Sequence, residues 1–241
     1  MSRDSIFNLV YFVLLAVHIM AGETGMNYIA SLSKPALLIS LIIYFGLNMI
    51  SFGKSKFGHL ILAGLVFSLG GDVLLMFQDQ GSYFTFGLVS FLLAHVFYIA
   101  AFTKTYEENH EIKLLKKYGW VMVLVVGYAW FFFNAVKDHL GDMLGPVLVY
   151  TMVISLMLLI ALNRFKKVSS ASFIFIAFGA ALFVASDSLL AWNKFVRDFD
   201  HAHLWIMLTY GLAQFGITKG AVLQVRDQSV KSMSKKPETI G

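Results

Sequence analysis

Phe57–Met76 reads FGHLILAGLVFSLGGDVLLM, 20 residues with one carboxylate and no lysine or arginine. A helix of that length rises about 30 Å, the thickness of a bilayer's hydrocarbon core. An acid inside such a run costs several kcal/mol unless it is neutralised, paired or hydrated. The stretch therefore predicts a membrane span and marks Asp72 as a residue to be explained. The whole chain agrees: of 241 residues 58% are hydrophobic and only 14% are charged, against about 25% charged in soluble domains. A water-soluble globule, a disordered chain and a coiled coil are all excluded.

Apolar runs recur on both sides of this stretch, and all eight lie at 5–22, 35–52, 57–76, 83–103, 118–137, 144–163, 170–192 and 201–220. The expected fold is all-α, a polytopic transmembrane bundle of eight spans forming one domain over 1–220. The first run lacks a small-residue cleavage site and reads as a span rather than a signal peptide. Residues 221–241 turn polar and basic and are expected to be a disordered cytosolic tail. The longest connection, Lys104–Lys117, reads as amphipathic and cytosolic. Fifteen Lys and Arg fall on the side that would hold both termini, and four (Lys34, Lys137, Lys194, Arg197) on the other. The positive-inside rule then places both termini in the cytosol. The excess charge of +5 sits in loops and tail, where anionic lipid rather than nucleic acid is its natural partner. A multi-pass protein of a bacterial inner membrane is expected.

The third and seventh spans share a pattern. Gly64, Asp72 and the pair Leu74-Leu75 match Gly179, Asp187 and Leu189-Leu190 at an offset of 115 residues. Counted at 1.5 Å per residue from the cytosolic entry, Asp72 lies about 22 Å up and Asp187 about 25 Å up. Two acids at one depth, near the non-cytosolic face, are able to meet across a cavity. No intramembrane Lys or Arg is an evident partner for either, so one is expected to hold a proton while the other is ionised. That split serves general acid and general base chemistry. The plainer reading makes each a neutral, hydrogen-bonded tie between helices. Gly64, Gly70 and Gly71, with Gly179, allow close helix approach, or leave room beside a carboxyl group.

Further polar residues fall near this layer. Lys34 precedes Pro35, which suits a first helical turn, so Lys34 is expected at the interface, meeting a phosphate or snorkelling. Glu23 ends the first span and suits an amine. Asn134 and Tyr150 lie near the depth of the acids, and His95 with Tyr98 lies deeper. Each serves equally as an interhelical hydrogen-bond partner. His18 is a weaker case of the same kind. His201 and His203 are two apart, do not share a helix face and make a poor metal pair. The absence of Cys excludes disulfides, thiolate nucleophiles and zinc–thiolate sites. No metal and no cofactor is expected.

An acid pair, no thiol and no serine triad suit an amphiphilic substrate with its head at the outer interface. Acid–base hydrolysis is the first reaction class. Proton-coupled transport of a lipid-like substrate is the alternative. Intramembrane aspartyl proteolysis ranks third, because position 69 is Leu where a Gly-x-Gly-Asp element would have Gly.

Ser33-Lys34-Pro35, Phe67–Leu75 with Gly71-Asp72, Phe91–Phe102 with His95 and Tyr98, Pro146 with Tyr150, and Phe183–Trp192 with Ser186-Asp187 together resemble the YhhN family, the lysoplasmalogenases. The resemblance reaches from the second span to the seventh. It implies a membrane hydrolase of the lysoplasmalogen vinyl-ether bond. The products would be a fatty aldehyde and glycerophosphoethanolamine or glycerophosphocholine. It carries the catalytic roles to Asp72 and Asp187. Asp187 is assigned as acid and Asp72 as base, with Lys34 on the phosphate, Tyr150 and Asn134 holding the acids or a water, and His95 and Tyr98 behind them. The expected partners are lysophospholipid and bilayer lipid.

Overall fold

Ser2 and Ser55 open α1 (Arg3–Glu23) and α3 (Lys56–Leu75) by accepting the backbone N–H of Ser5 and Gly58, each at 3.1 Å. Such caps satisfy donors that the first helical turn leaves unpaired. In the computed structural model, which describes residues 2–77, 80, 82–104 and 118–234, these two belong to an all-α bundle. The others are α2 (Asn27–Phe52), α4 (Tyr83–Phe102), α5 (Gly119–Val136), α6 (Leu144–Leu162), α7 (Ser170–Ala191) and α8 (Ala202–Ser234). Eight helices are long and apolar enough to cross a membrane among the described residues. A π-helical turn, Trp192–Val196, continues α7.

Two boundaries differ from the sequence reading. α2 begins at Asn27, so Pro35 lies inside it rather than in its first turn. The hydroxyls of Ser31 and Ser33 donate to the carbonyls of Tyr28 and Ile29 at 2.9 and 2.7 Å. This hides polar groups on the helix's own backbone, so a polar stretch extends the span. Lys34 consequently sits about 10 Å along α2 instead of at its mouth. α8 runs to Ser234, past the residue-220 end expected for the last span. Its extension is pinned: Arg226 forks onto Asp4 at 2.7 and 2.8 Å, and Ala221, Val222 and Val225 are buried. Residues 221–234 are therefore helical, whereas 235–241 lie outside the described residues. So do 105–117, which hold nearly all of the connection expected to be amphipathic.

The closest packing is between α3 and α4 and between α7 and α8. In the second pair it is backbone against backbone. A Cβ on Gly179 would lie 2.8 Å from both Ala213 O and Ile217 N, and one on Gly216 would lie 2.9 Å from Phe175 O. Only glycine permits that approach. α8 touches α1, α2, α3 and α7 and forms the hub, whereas α5 packs mainly on α6 and exposes Trp120, Val123 and Phe131. An apolar exposed face of this kind suits lipid.

Candidate functional site

Asp72 lies one turn before the end of α3 and is 2% exposed. Its Oδ1 is 3.6 Å from Lys34 Nζ, and its Oδ2 accepts the Tyr210 hydroxyl at 2.7 Å. The acid thus has a cationic partner inside the bundle, contrary to the sequence expectation that neither acid has one. The cause is the early start of α2, which carries Lys34 inward. From Tyr210 a chain of side chains leads away. Gln214 Nε2 donates to the Tyr210 hydroxyl at 3.4 Å, and Tyr98 donates to Gln214 Oε1 at 2.9 Å. Gly64 makes room for this chain, since a Cβ there would be 2.3 Å from the Tyr98 ring.

Asp187 lies one turn before the end of α7, is half-buried, and accepts the hydroxyl of Tyr150 on α6. No Lys or Arg stands within ion-pair distance of it among the described residues. It lines a groove that is otherwise mostly apolar. Phe84, Leu88 and Phe91 of α4, Tyr128 and Phe132 of α5, Ile154 of α6, and Val184 of α7 form its walls, with Phe195 of the π-helical turn at one end. Tyr128 donates to Ser188 Oγ at 2.8 Å across this groove, tying α5 to α7. Along α6 the groove runs from Val147 to Ser155, about 12 Å at the helical rise.

His95 is fully buried and stands edge-on between the rings of Tyr150 and Phe183, at centroid distances of 5.3 and 4.7 Å. Phe183 also meets Tyr210 at 5.6 Å. An aromatic bridge of Tyr150, His95, Phe183 and Tyr210 therefore connects the two acids. Asp72 itself does not line the groove; Leu75, one turn further along α3, and Phe91, which packs on Tyr210, do.

Six sequence-expected residues thus fall into two groups: Asp72 with Lys34 and Tyr98, and Asp187 with Tyr150 and His95. Glu23 and Asn134 join neither. Asn134 donates to the Trp130 carbonyl of its own helix at 2.8 Å. Glu23 accepts His201 Nδ1 at 2.6 Å and the Leu204 N–H at 3.1 Å, holding the start of α8. Its carboxylate raises the His201 pKa above 6.5. His18 bonds Ser33 at 2.9 Å and packs on His203. Among the described residues no cluster of three or more metal-ligating side chains occurs. Tyr210, Gln214 and Tyr128 are site neighbours that sequence reading missed. Tyr210 and Gln214, four apart and hence on one helix face, were the available signal, since a glutamine within a span needs a partner.

The YhhN family profile matches residues 29–221. The bovine protein lysoplasmalogenase TMEM86A is 34% identical over 165 residues, 67% of this chain and 65% of its own length. Human lysoplasmalogenase TMEM86B is 29% identical over 201 residues, 83% of this chain and 78% of its own. A lysoplasmalogenase of Mycobacterium bovis is 26% identical over 215 residues, 88% and 78% of the two chains. The chain thus spans just under two thirds of the length of the bovine relative. No solved structure matches. Lys34, Asp72, Tyr150, Asp187 and Tyr210 all fall within the matched stretch, and with both acids, their partners and most of the bundle inside it, the chain belongs to the YhhN family.

Proposed function

We propose that this protein is a membrane-embedded hydrolase that cleaves the vinyl-ether bond of lysoplasmalogens. The products are a fatty aldehyde and glycerophosphoethanolamine or glycerophosphocholine. The observation that carries the proposal is Asp187: a carboxyl group held by Tyr150, without a cation beside it among the described residues, on the wall of a mostly apolar groove. The relatives named lysoplasmalogenases support the substrate class.

The chemistry needs one proton donor and one water. Asp187 enters as the neutral acid and protonates the β carbon of the vinyl ether. The alkene electrons form the new C–H bond, and the ether oxygen stabilises the cation at the α carbon. The resulting Asp187 carboxylate lies beside that cation and takes a proton from the water adding to it. In the hemiacetal collapse Asp187 gives that proton to the glycerol oxygen, which leaves as an alcohol, and takes the hydroxyl proton as the aldehyde C=O forms. Tyr150 keeps the Asp187 carboxyl in one orientation throughout. Asp72 as a direct base would have to act past the Leu75 and Phe91 side chains. The geometry favours a division in which Asp187 makes the proton transfers, and Asp72 with Lys34 and Tyr210 holds the adjoining α2–α3–α8 junction.

Incubation of the purified protein in detergent with lysoplasmalogen tests this: free aldehyde is expected, and its absence would refute the hydrolase reading. The hydrogen-bonded series Tyr98–Gln214–Tyr210–Asp72 favours a second reading, proton-coupled movement of a lipid-like substrate. A carrier would release no aldehyde in the same assay.

A further inference from the structure

The groove has a cation at its rim that the mechanism does not use. The π-helical turn directly after α7 places Phe195 in the groove wall and Lys194 over Phe84, with Nζ 5.3 Å from that ring's centroid. Phe84 itself lines the groove and meets Phe195 edge-on at 5.7 Å. Widened turns of this type often re-aim side chains at functional sites. Lys194 is exposed and has no carboxylate within ion-pair distance among the described residues. Lys34, the residue expected to meet a phosphate, is instead committed to Asp72.

We propose that Lys194 binds the phosphodiester of a single-chain phospholipid whose hydrocarbon tail occupies the groove. The proposal rests on the hydrolase reading for its choice of substrate. Dimensions support it. Lys194 follows Asp187 by seven residues, about 10 Å along the helix. In a lysoplasmalogen the ether oxygen and the phosphorus are separated by five bonds, about 6 Å when extended at ordinary bond lengths. An ammonium–phosphate contact adds about 3 Å. With the vinyl ether at Asp187, the phosphate therefore reaches Lys194, and the tail runs the other way, toward Ile154 and Ser155. The Phe84 ring holds the ammonium at the rim by a cation–π contact and leaves its outer side open to an anion. This arrangement selects a charged head over a neutral one.

Binding of two uncleavable lipids tests the idea without turnover: a 1-O-alkyl lysophosphocholine and the 1-O-alkylglycerol with the same chain. Fluorescence from Trp192 and its neighbours reports both in detergent. Wild type should prefer the phospholipid. Lys194→Gln should weaken it about tenfold, the scale of one hydrogen bond to a charged group, and leave the alkylglycerol unchanged. Lys194→Arg should restore the preference. With lysoplasmalogen as substrate, the loss in Lys194→Gln should fall on KM. Equal binding of the two lipids by wild type, or equal weakening of both by Lys194→Gln, overturns the proposal. If no aldehyde is ever formed yet the binding preference follows Lys194, the hydrolase reading fails and this one stands. If aldehyde forms and Lys194→Gln is indifferent to the head, only this one fails.

Discussion

Asp72 and Asp187 occupy matching places on α3 and α7, each one turn from the helix end and each held by a tyrosine hydroxyl, yet their surroundings differ. Asp72 is 2% exposed and charge-compensated by Lys34; Asp187 is half-buried, faces a groove and is held by Tyr150, with no Lys or Arg beside it among the described residues. On the proposed reading, similar local sequence serves two uses. A compensated, enclosed carboxylate ties helices together, because removing either partner strands a charge. An uncompensated carboxyl on a cavity wall is free to exchange a proton with whatever occupies the cavity. A motif match alone does not separate these surroundings, and the neighbours contributed by α2, α6 and α8 do.

The largest expected effect separates them directly. Asp187→Asn should lower aldehyde release by at least about 100-fold, the scale of a lost acid–base group, with an unchanged melting midpoint. Near wild-type turnover in that variant would end the comparison. Asp72→Asn should act first on stability. Lys34 is 19% exposed, so the cost should be about 1–3 kcal/mol, below the roughly 3–5 kcal/mol of a fully buried broken pair. Adding Lys34→Met should recover most of it in a thermal melt; failure to recover would give Asp72 a role beyond the ion pair. The two tyrosines sharpen the contrast. Tyr150→Phe should lower turnover about tenfold with little change in stability, whereas Tyr210→Phe should cost about 1 kcal/mol of stability and spare most turnover. The reverse pattern would exchange the two assignments.

The smallest effect lies where the end of α1 meets the start of α8, away from both acids. Because Glu23 raises the His201 pKa in the folded state, their pairing contributes stability that is fully present below the unfolded value of 6.5 and is lost as pH rises through the folded value. His201→Gln should flatten that part of a melting-point profile measured across neutral pH. It should not alter the difference between the Asp187 and Asp72 variants.

Eight spans, their order and the two acids were legible because a membrane span must be apolar over its length, and any carboxylate within it stands out. The helix ends were less legible. Serine hydroxyls folded back on α2 let a polar stretch extend a helix, and Asp4 and Arg226 lie 222 residues apart before the bundle joins them. Of the partners, Tyr150 was named as a holder of the acids, and it meets Asp187. Those of Asp72 were not legible: Lys34 and Tyr210 are 38 and 138 residues away from it.

Composition along the chain suffices for eight membrane crossings and two acids at one depth, since burial costs act residue by residue. Which acid is paired and which lines a groove emerges from the packed bundle alone. That choice depends on which helix faces which, and contacts between helices of a bundle are set by packing of surfaces whose apolar composition is nearly alike.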